Sequence, residues 1–282
     1  MPPSSAVLQQ LLMRRQRAQI DAAAASAGAA VLYLKAAFAD PVLYDNAGTR
    51  RGSDIDVLVH PARFEAFCAA LLGMGYRPFA LDDRRATMAA ARERTLFPPG
   101  RAGLSVDVHR ALDDPPWCHV DTAAFFHRAR AYDSPDGPVW SLSPDDQVLH
   151  AVLHHAAHCF SLDGRHADDI PRLAARFAID WPTVFDRVAD AGLRVACMLL
   201  TERWRAQSLA IPPEPWAHHP GVRARLRLAR HWVTTTPVMH RVDIAPRPEA
   251  LLLRPLLSDA PMALPRFLAR YPVDRLRDAL AR

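Results

Sequence analysis

Apolar positions change their spacing along the chain, and the change divides it into a mixed first half and a helical second half. Over residues 5–29, Leu8, Leu11, Leu12 and Ile20 recur among Gln, Arg and Ala in a loose helical pattern. Val31-Leu32-Tyr33-Leu34 is a β-favouring run that ends at Lys35, and Asp40-Pro41 with Asp45-Asn46-Ala47-Gly48 predicts a turn-rich stretch after it. In Ser53-Asp54-Ile55-Asp56-Val57-Leu58-Val59 the acids Asp54 and Asp56 alternate with Ile55 and Val57 and an apolar, β-branched-rich end follows, which predicts a strand. Pro61 suits the first turn of a helix carrying Phe64, Phe67, Cys68, Leu71 and Leu72 at i, i+3, i+4 spacing and ended by Gly73 and Gly75. Thr95-Leu96-Phe97, a Pro-Pro-Gly turn and Leu104–His109 read as two more strands on a short connection.

From Leu142 the period is helical. Ser143 as N-cap, Pro144 at the first position, and Asp145 and Asp146 at the positive end of the dipole open a helix with Val148, Leu149, Val152, Leu153, Ala156 and Phe160 on its apolar face. Helices are predicted near 171–178, 182–208 and 221–232, then a Pro-rich tail with short helical pieces. The boundary falls in Tyr132–Pro138, giving domains of residues 1–138 and 139–282. The expected fold class is α+β: a small mixed β-sheet with flanking helices, followed by an all-helical domain.

Composition narrows the function. A chain of 282 residues that is 50% hydrophobic, with a net charge of only +5, is globular and lacks the signature of disorder. Its basic residues are 34 arginines and the single Lys35, a ratio that reflects G+C-rich coding more than a selected arginine surface. No block of five basic residues occurs, so nucleic-acid binding is not implied. Cys68, Cys118, Cys159 and Cys197 form no CxxC pair, which excludes a zinc ribbon or small disulfide framework and makes a reducing cytoplasm the simplest compartment. The longest uncharged apolar stretch, Ala22–Leu34, is too short to span a bilayer, and the first residues do not read as a secretory signal.

The chemistry lies in acids on strands. Alternate strand residues share a face, so Asp54 and Asp56 project together about 6–7 Å apart while Ile55, Val57 and Val59 enter the core. Asp107 repeats the design between Val106 and Val108, with Ser105 and His109 on its own face. If the two strands are neighbours, three carboxylates converge, enough hard oxygen ligands for one or two Mg²⁺ ions about 3.5–4 Å apart. A second lead is His150, His154 and His158, an i, i+4, i+8 stripe beside the apolar face of its helix, with His155 apart from it. That stripe has a zinc-compatible spacing, but it suits equally a polar face lining a cleft or partly buried core histidines. Asp169 reads either as a functional acid or as an N-cap.

The order of these pieces resembles the nucleotidyltransferase superfamily, with its DNA polymerase β-like fold, and more narrowly the bacterial uncharacterised nucleotidyltransferase family. The resemblance rests on Leu34-Lys35-Ala36, Arg50, Asp54-Ile55-Asp56-Val57-Leu58-Val59, Gly75-Tyr76, Val106-Asp107-Val108-His109, and Leu142-Ser143-Pro144-Asp145-Asp146 followed by His150 and His154. It spans about residues 31–210, and nothing in the last seventy residues extends it. The chain departs from the family at Ala36, where the pattern has glycine; a Cβ there is expected to hinder close approach of a phosphate.

The resemblance implies a metal-dependent nucleotidyltransferase that moves a nucleoside monophosphate from an NTP to a hydroxyl of an acceptor and releases pyrophosphate. Asp54, Asp56 and Asp107 would be the catalytic metal ligands for Mg²⁺ or Mn²⁺, and Lys35, Ala36, Arg50 and Ser53 would bind the nucleotide. His109, His150, His154 and His158 would line the substrate cleft. The expected acceptor is a small molecule or peptide in preference to nucleic acid, with no membrane partner. Two other readings stand beside this one: a non-catalytic nucleotide-binding protein of the same fold, motivated by Ala36, and a histidine-dependent metallohydrolase.

Overall fold

The computed structural model describes residues 5–46, 48–50, 52–78, 92–100, 103–113, 116–160, 165–235 and 248–260. Arg51, which adjoins the expected phosphate clamp, and the end of the Pro-rich tail lie outside them. The chain forms two compact units. One holds residues up to Ala111 together with Asp121–Ser143, and the other holds Leu112–Val120 with the described residues from Pro144 onward. Among the described residues no helix is long and apolar enough to cross a membrane.

The first unit is built on a five-stranded mixed sheet. Its strands are β1 (Val31–Tyr33), β2 (Asp54–Val59), β3 (Arg77–Pro78), β4 (Glu93–Phe97) and β5 (Ser105–His109), in the order β1-β2-β5-β4-β3. Only the central β2–β5 pair is parallel; β1, β4 and β3 join antiparallel. That arrangement buries both faces of β2, and Ile55 to Val59 are at most 2% exposed. Helix α1 (Ser5–Ala27) packs on α3 (Phe64–Gly73), which buries Phe64, Phe67, Cys68 and Leu71 at the spacing read from the sequence.

Helix α2 (Lys35–Leu43) corrects the expectation of a turn-rich stretch after Lys35. It is buried at Ala36, Ala37, Phe38, Ala39, Asp40, Val42 and Leu43, so it has no polar face and no amphipathic period to read. Pro41 sits in its last turn and does not prevent it. The unit is completed by α4 (Thr122–Arg128) and a two-stranded hairpin, β6 (Arg130–Tyr132) and β7 (Val139–Ser141), neither strand of which was expected. Three-residue strands are too short to display a period of two. In the Tyr132–Pro138 segment, where the sequence places its domain boundary, Tyr132 ends β6 and residues 133–138 form the turn of this hairpin. Ser141 Oγ donates to the Tyr33 carbonyl at 2.5 Å and ties the hairpin to β1.

The second unit is helical: α5 (Pro144–Ala157), α6 (Arg165–Arg176), α7 (Trp181–Asp190), α8 (Arg194–Ala206), α9 (Pro220–Thr235) and α10 (Pro248–Leu257). The single helix expected over 182–208 is two helices, because Gly192 takes φ +75° and closes α7 with a bond from the Leu193 N–H to the Val188 carbonyl. The helix expected near 171–178 begins at Arg165, and Asp169, read as a possible N-cap, lies inside it and is buried. Trp204 is the largest fully buried side chain of the core, and its indole N–H donates to the Ala167 carbonyl at 2.8 Å.

Replacing Trp204 with Ala removes that volume and orphans the carbonyl. Trp204→Ala is expected to lower unfolding stability by about 3–5 kcal/mol in chemical denaturation, with Trp204→Phe losing less.

Candidate active site

Five residues named from the sequence meet on one face of the first unit's sheet. In the parallel ladder Asp54 pairs with Ser105 and Asp56 with Asp107, so two carboxylates stand side by side on adjacent strands with Asp54 two residues away on the same face. Lys35, at the start of α2, brings Nζ to 2.6 Å from Asp56 Oδ1. His109, two residues after Asp107, places Nε2 3.0 Å from the same oxygen. Asp56 is 2% exposed, whereas Asp54 and Asp107 are half-buried and Ser53 is exposed.

A sixth residue was not found by sequence reasoning. Glu93 Oε2 lies 3.2 Å from His109 Nδ1, on the ring edge opposite Asp56. The signal is in the hairpin register: Leu96 pairs with Val106, which puts Glu93 opposite His109, whereas the local β pattern begins only at Thr95.

The charges are divided unequally. Burial alone would raise the Asp56 carboxyl, yet the Lys35 ammonium and the hydrogen bond and charge of His109 hold it well below the usual carboxylate range. Burial likewise opposes the charge on His109, but its bonds to Asp56 and Glu93 prevail and push it up to about 9. Lys35 is also raised: burial opposes its charge, and Asp56, Asp54 and Asp107 overrule it. At neutral pH the core of the site is therefore one carboxylate between two cations. Asp54 is raised by burial and by repulsion from Asp56, and Asp107 is pushed up to about 6 by burial and the same repulsion, against a hydrogen bond from Thr95.

Hard carboxylate oxygens on one face are the donor set of a divalent cation such as Mg²⁺ or Mn²⁺. Asp107 Oδ1 is buried without a hydrogen-bond partner, an acceptor that a cation would satisfy. With Asp56 Oδ1 engaged by Lys35 and His109, no three ligating side chains among the described residues already converge as a metal-binding group.

The remaining candidates fall elsewhere. Ala36 is 3% exposed, and its Cβ lies 2.8 Å from where a Cβ on Gly52 would stand. Its methyl is packed against the Gly52 backbone and does not project into open space. Arg50 is buried in the loop before β2, where its N–H and that of Gly48 donate to the Asp40 carboxylate at 2.9 and 2.8 Å. His150, His154 and His158 lie in the second unit. There His154 contacts His150 and His158 with ring centroids 6.1 and 4.7 Å apart, and His166 of α6 joins them at 4.7 Å from His150 and 5.2 Å from His154. His155, read as apart from the stripe, is in ring contact with His154 at 5.8 Å.

The family model described as uncharacterised nucleotidyltransferase matches residues 4–206. The chain belongs to that family. No curated protein matches the sequence. Among solved structures it is similar to the antibiotic-resistance factor ANT(2'')-Ia. The solution structure of that factor is 14% identical, covers 71% of this chain and 96% of that one, and gives a TM-score of 0.43. Its crystal structure in complex with adenylyl-2''-tobramycin is 14% identical over 68% of this chain and 98% of that one, at 0.41. An antigenic nucleotidyltransferase-like protein from Paracoccidioides brasiliensis is 12% identical over 74% and 93%, at 0.42. In this nucleotidyltransferase family member the acidic strand residues and Lys35 of the family pattern are the ones the fold assembles.

Two outcomes follow from the geometry. The Asp107 carboxyl is raised in the folded chain, so the folded state favours its proton: no penalty exists below about pH 4, and stability is lost as pH rises through about 6. Asp107→Asn is therefore expected to raise metal-free stability by about 1–2 kcal/mol at pH 7.5, discounted for partial exposure, and to leave it unchanged at pH 4. Denaturant unfolding at both pH values measures this. Gly52→Ala is expected to destabilise the loop entering β2 by about 1–3 kcal/mol, and Ala36→Gly to recover part of that loss in the double variant, because the two methyls compete for one space while the new Cβ still meets the Asp54 carbonyl oxygen at 3.1 Å.

Proposed function

We propose that this family member is a divalent-metal-dependent enzyme that transfers a nucleoside monophosphate from an NTP to an acceptor hydroxyl. The observation that carries the reading is the in-register pair Asp56–Asp107, with Asp54 on the same face and an ammonium on Asp56. Asp54, Asp56 and Asp107 would hold Mg²⁺ or Mn²⁺, which when bound supplies charge neutralisation and polarisation at the phosphates. Lys35 offers a positive point charge to the triphosphate at the cost of relaxing its bond to Asp56. His109, braced by Glu93, keeps the Asp56 carboxylate oriented while Lys35 is drawn away.

Asp107, on the strand beside Asp56, takes the proton of the acceptor hydroxyl. The hydroxyl oxygen attacks the α-phosphorus, the bond to the β-phosphate oxygen breaks, and pyrophosphate leaves. The acceptor is a small hydroxylated molecule or a peptide, consistent with the absence of a basic block in the sequence. Its recognition is assigned to the helical unit, where His150, His154 and His158 are the first side chains to test.

The test combines labelling with binding. The protein is incubated with each labelled NTP, Mg²⁺ or Mn²⁺ and a cell extract, and whatever acquires label is identified. In calorimetry Asp54→Asn and Asp56→Asn are expected to lose divalent-dependent NTP binding. Asp107→Asn is expected to bind NTP within a few-fold of wild type and give no pyrophosphate. Unchanged NTP affinity in both of the first two variants would reject the site, and normal turnover of the third would reject the role of Asp107.

A further inference from the structure

Lys35 and a divalent ion need the same carboxylate. The ammonium lies 2.6 Å from Asp56 Oδ1, and His109 Nε2 takes the same oxygen at 3.0 Å. Asp107 Oδ1, buried and without a hydrogen-bond partner, is the acceptor left open in the row. A divalent ion shared by Asp56 and Asp107 would stand beside the Lys35 charge, and like charges on a largely buried face repel strongly. The ion and the ammonium therefore compete for Asp56.

The two cations on Asp56 differ in their freedom to leave it. His109 is held at both ring nitrogens, by Asp56 and by Glu93 Oε2 at 3.2 Å, and its backbone lies in the sheet opposite Leu58 on one side and Glu93 on the other. Lys35 is held through its amine alone, and its side chain is 20% exposed against 2% for Asp56. Its backbone is pinned, since the Leu34 N–H donates to the Asp56 carbonyl and the Ala37 N–H to the Leu34 carbonyl. Rotation about the four-carbon stem can thus carry the ammonium off the carboxylate without moving the strand or the helix. A triphosphate offers that ammonium more negative charge than one carboxylate does, and its arrival frees an Asp56 oxygen for the ion that accompanies it.

We propose that Lys35 is a built-in cation that holds Asp56 in place of the divalent ion until a triphosphate draws it away, so that ion and nucleotide bind together and the bare ion binds weakly. This role rests on the reading of Asp54, Asp56 and Asp107 as metal ligands. It adds to the contact of Lys35 with phosphate a second task, which is to keep free divalent ions off the acidic row.

Mn²⁺ alone is titrated into the full chain without nucleotide, free Mn²⁺ being read by electron paramagnetic resonance. Lys35→Met is expected to bind Mn²⁺ about tenfold or more tighter than the wild-type chain, and to lose that gain when Asp56→Asn is added, which puts the ion on the acidic row. In calorimetry with ATP, GTP, CTP and UTP in turn, the same variant is expected to bind Mn²⁺–NTP no tighter than wild type, so the coupling between ion and nucleotide falls by about tenfold or more. If Lys35→Met does not fold by circular dichroism, Lys35→Gln is read in its place, since it removes the charge and keeps a donor for Asp56. Because Lys35 is the single lysine of the chain, ε-¹³C-lysine labelling gives one side-chain resonance in the wild-type protein. Mg²⁺ alone is expected to leave that resonance in place, and Mg²⁺ with NTP to move it. Equal or weaker Mn²⁺ binding by the folded variant overturns the role of Lys35 and leaves the metal ligands standing, provided wild type binds Mn²⁺–NTP. So does an equal gain for Mn²⁺ and Mn²⁺–NTP, or displacement of the resonance by Mg²⁺ alone. No Mn²⁺-dependent binding of any NTP by the wild-type chain overturns the metal reading itself and this role with it.

Discussion

The parallel, in-register pairing of β2 with β5 is the constraint from which the rest of the site follows. It sets Asp56 directly beside Asp107, at the spacing of neighbouring strands, about 4.8 Å, with Asp54 on the same face. A buried and a half-buried carboxylate at that spacing repel strongly, so the fold has to deliver positive charge to one and leave the other reluctant to ionise. One cation, Lys35, comes from the end of antiparallel β1, where it begins α2; the other, His109, is on β5 itself and is braced by Glu93 of antiparallel β4. Because both cations converge on Asp56 Oδ1, the balance is struck at one carboxylate and not shared among three.

That solution costs backbone strain. Lys35 takes φ +46°, a left-handed conformation that a side-chain-bearing residue adopts at about 1–2 kcal/mol. The strained residue lies between two fixed points: the Leu34 N–H donates to the Asp56 carbonyl at 3.0 Å, and the Ala37 N–H to the Leu34 carbonyl at 3.1 Å. Together they leave a single residue to turn from strand to helix, and the turn aims the amine across the carboxylate row. Gly52 accommodates the same turn from the other side, since the Ala36 methyl occupies the space a larger residue would need. The departure from the family pattern at Ala36 is thus matched within the chain itself by the glycine it packs on.

Much of this was legible because strands of period two and helices with one apolar face announce themselves. Alternation put Asp54 with Asp56 on one strand face and Asp107 with His109 on another, the convergence of all three depended on the two strands being neighbours, and α3 was legible from its apolar spacing. What escaped had a physical reason in each case. Helix α2 is buried all round, so its period is hidden. Strands β6 and β7 are too short to alternate twice. Glu93 depended on a hairpin register that no local pattern fixes, and His166 reached the histidine cluster through the packing of α6 on α5, which sequence spacing does not encode. Arg50 and Ala36 were legible by their order in the family pattern, but not in their packing: one is buried beside Asp40 and the other against Gly52.

The base composition of the chain offers an independent reading of the site. Thirty-four of its thirty-five basic residues are arginine, so wherever a surface position requires only positive charge, arginine has been sufficient. The one lysine stands on Asp56, 20% exposed, bonded to a single carboxylate oxygen that His109 also uses. A guanidinium is broad and planar and is best matched to two oxygens at once, whereas an ammonium is compact and can share one oxygen with an imidazole. It can also leave that oxygen without dismantling a two-bond fork. The crowding that β2 and β5 impose on Asp56 therefore favours lysine over arginine on geometric grounds, and the same crowding makes this cation the one whose partner can be exchanged most readily.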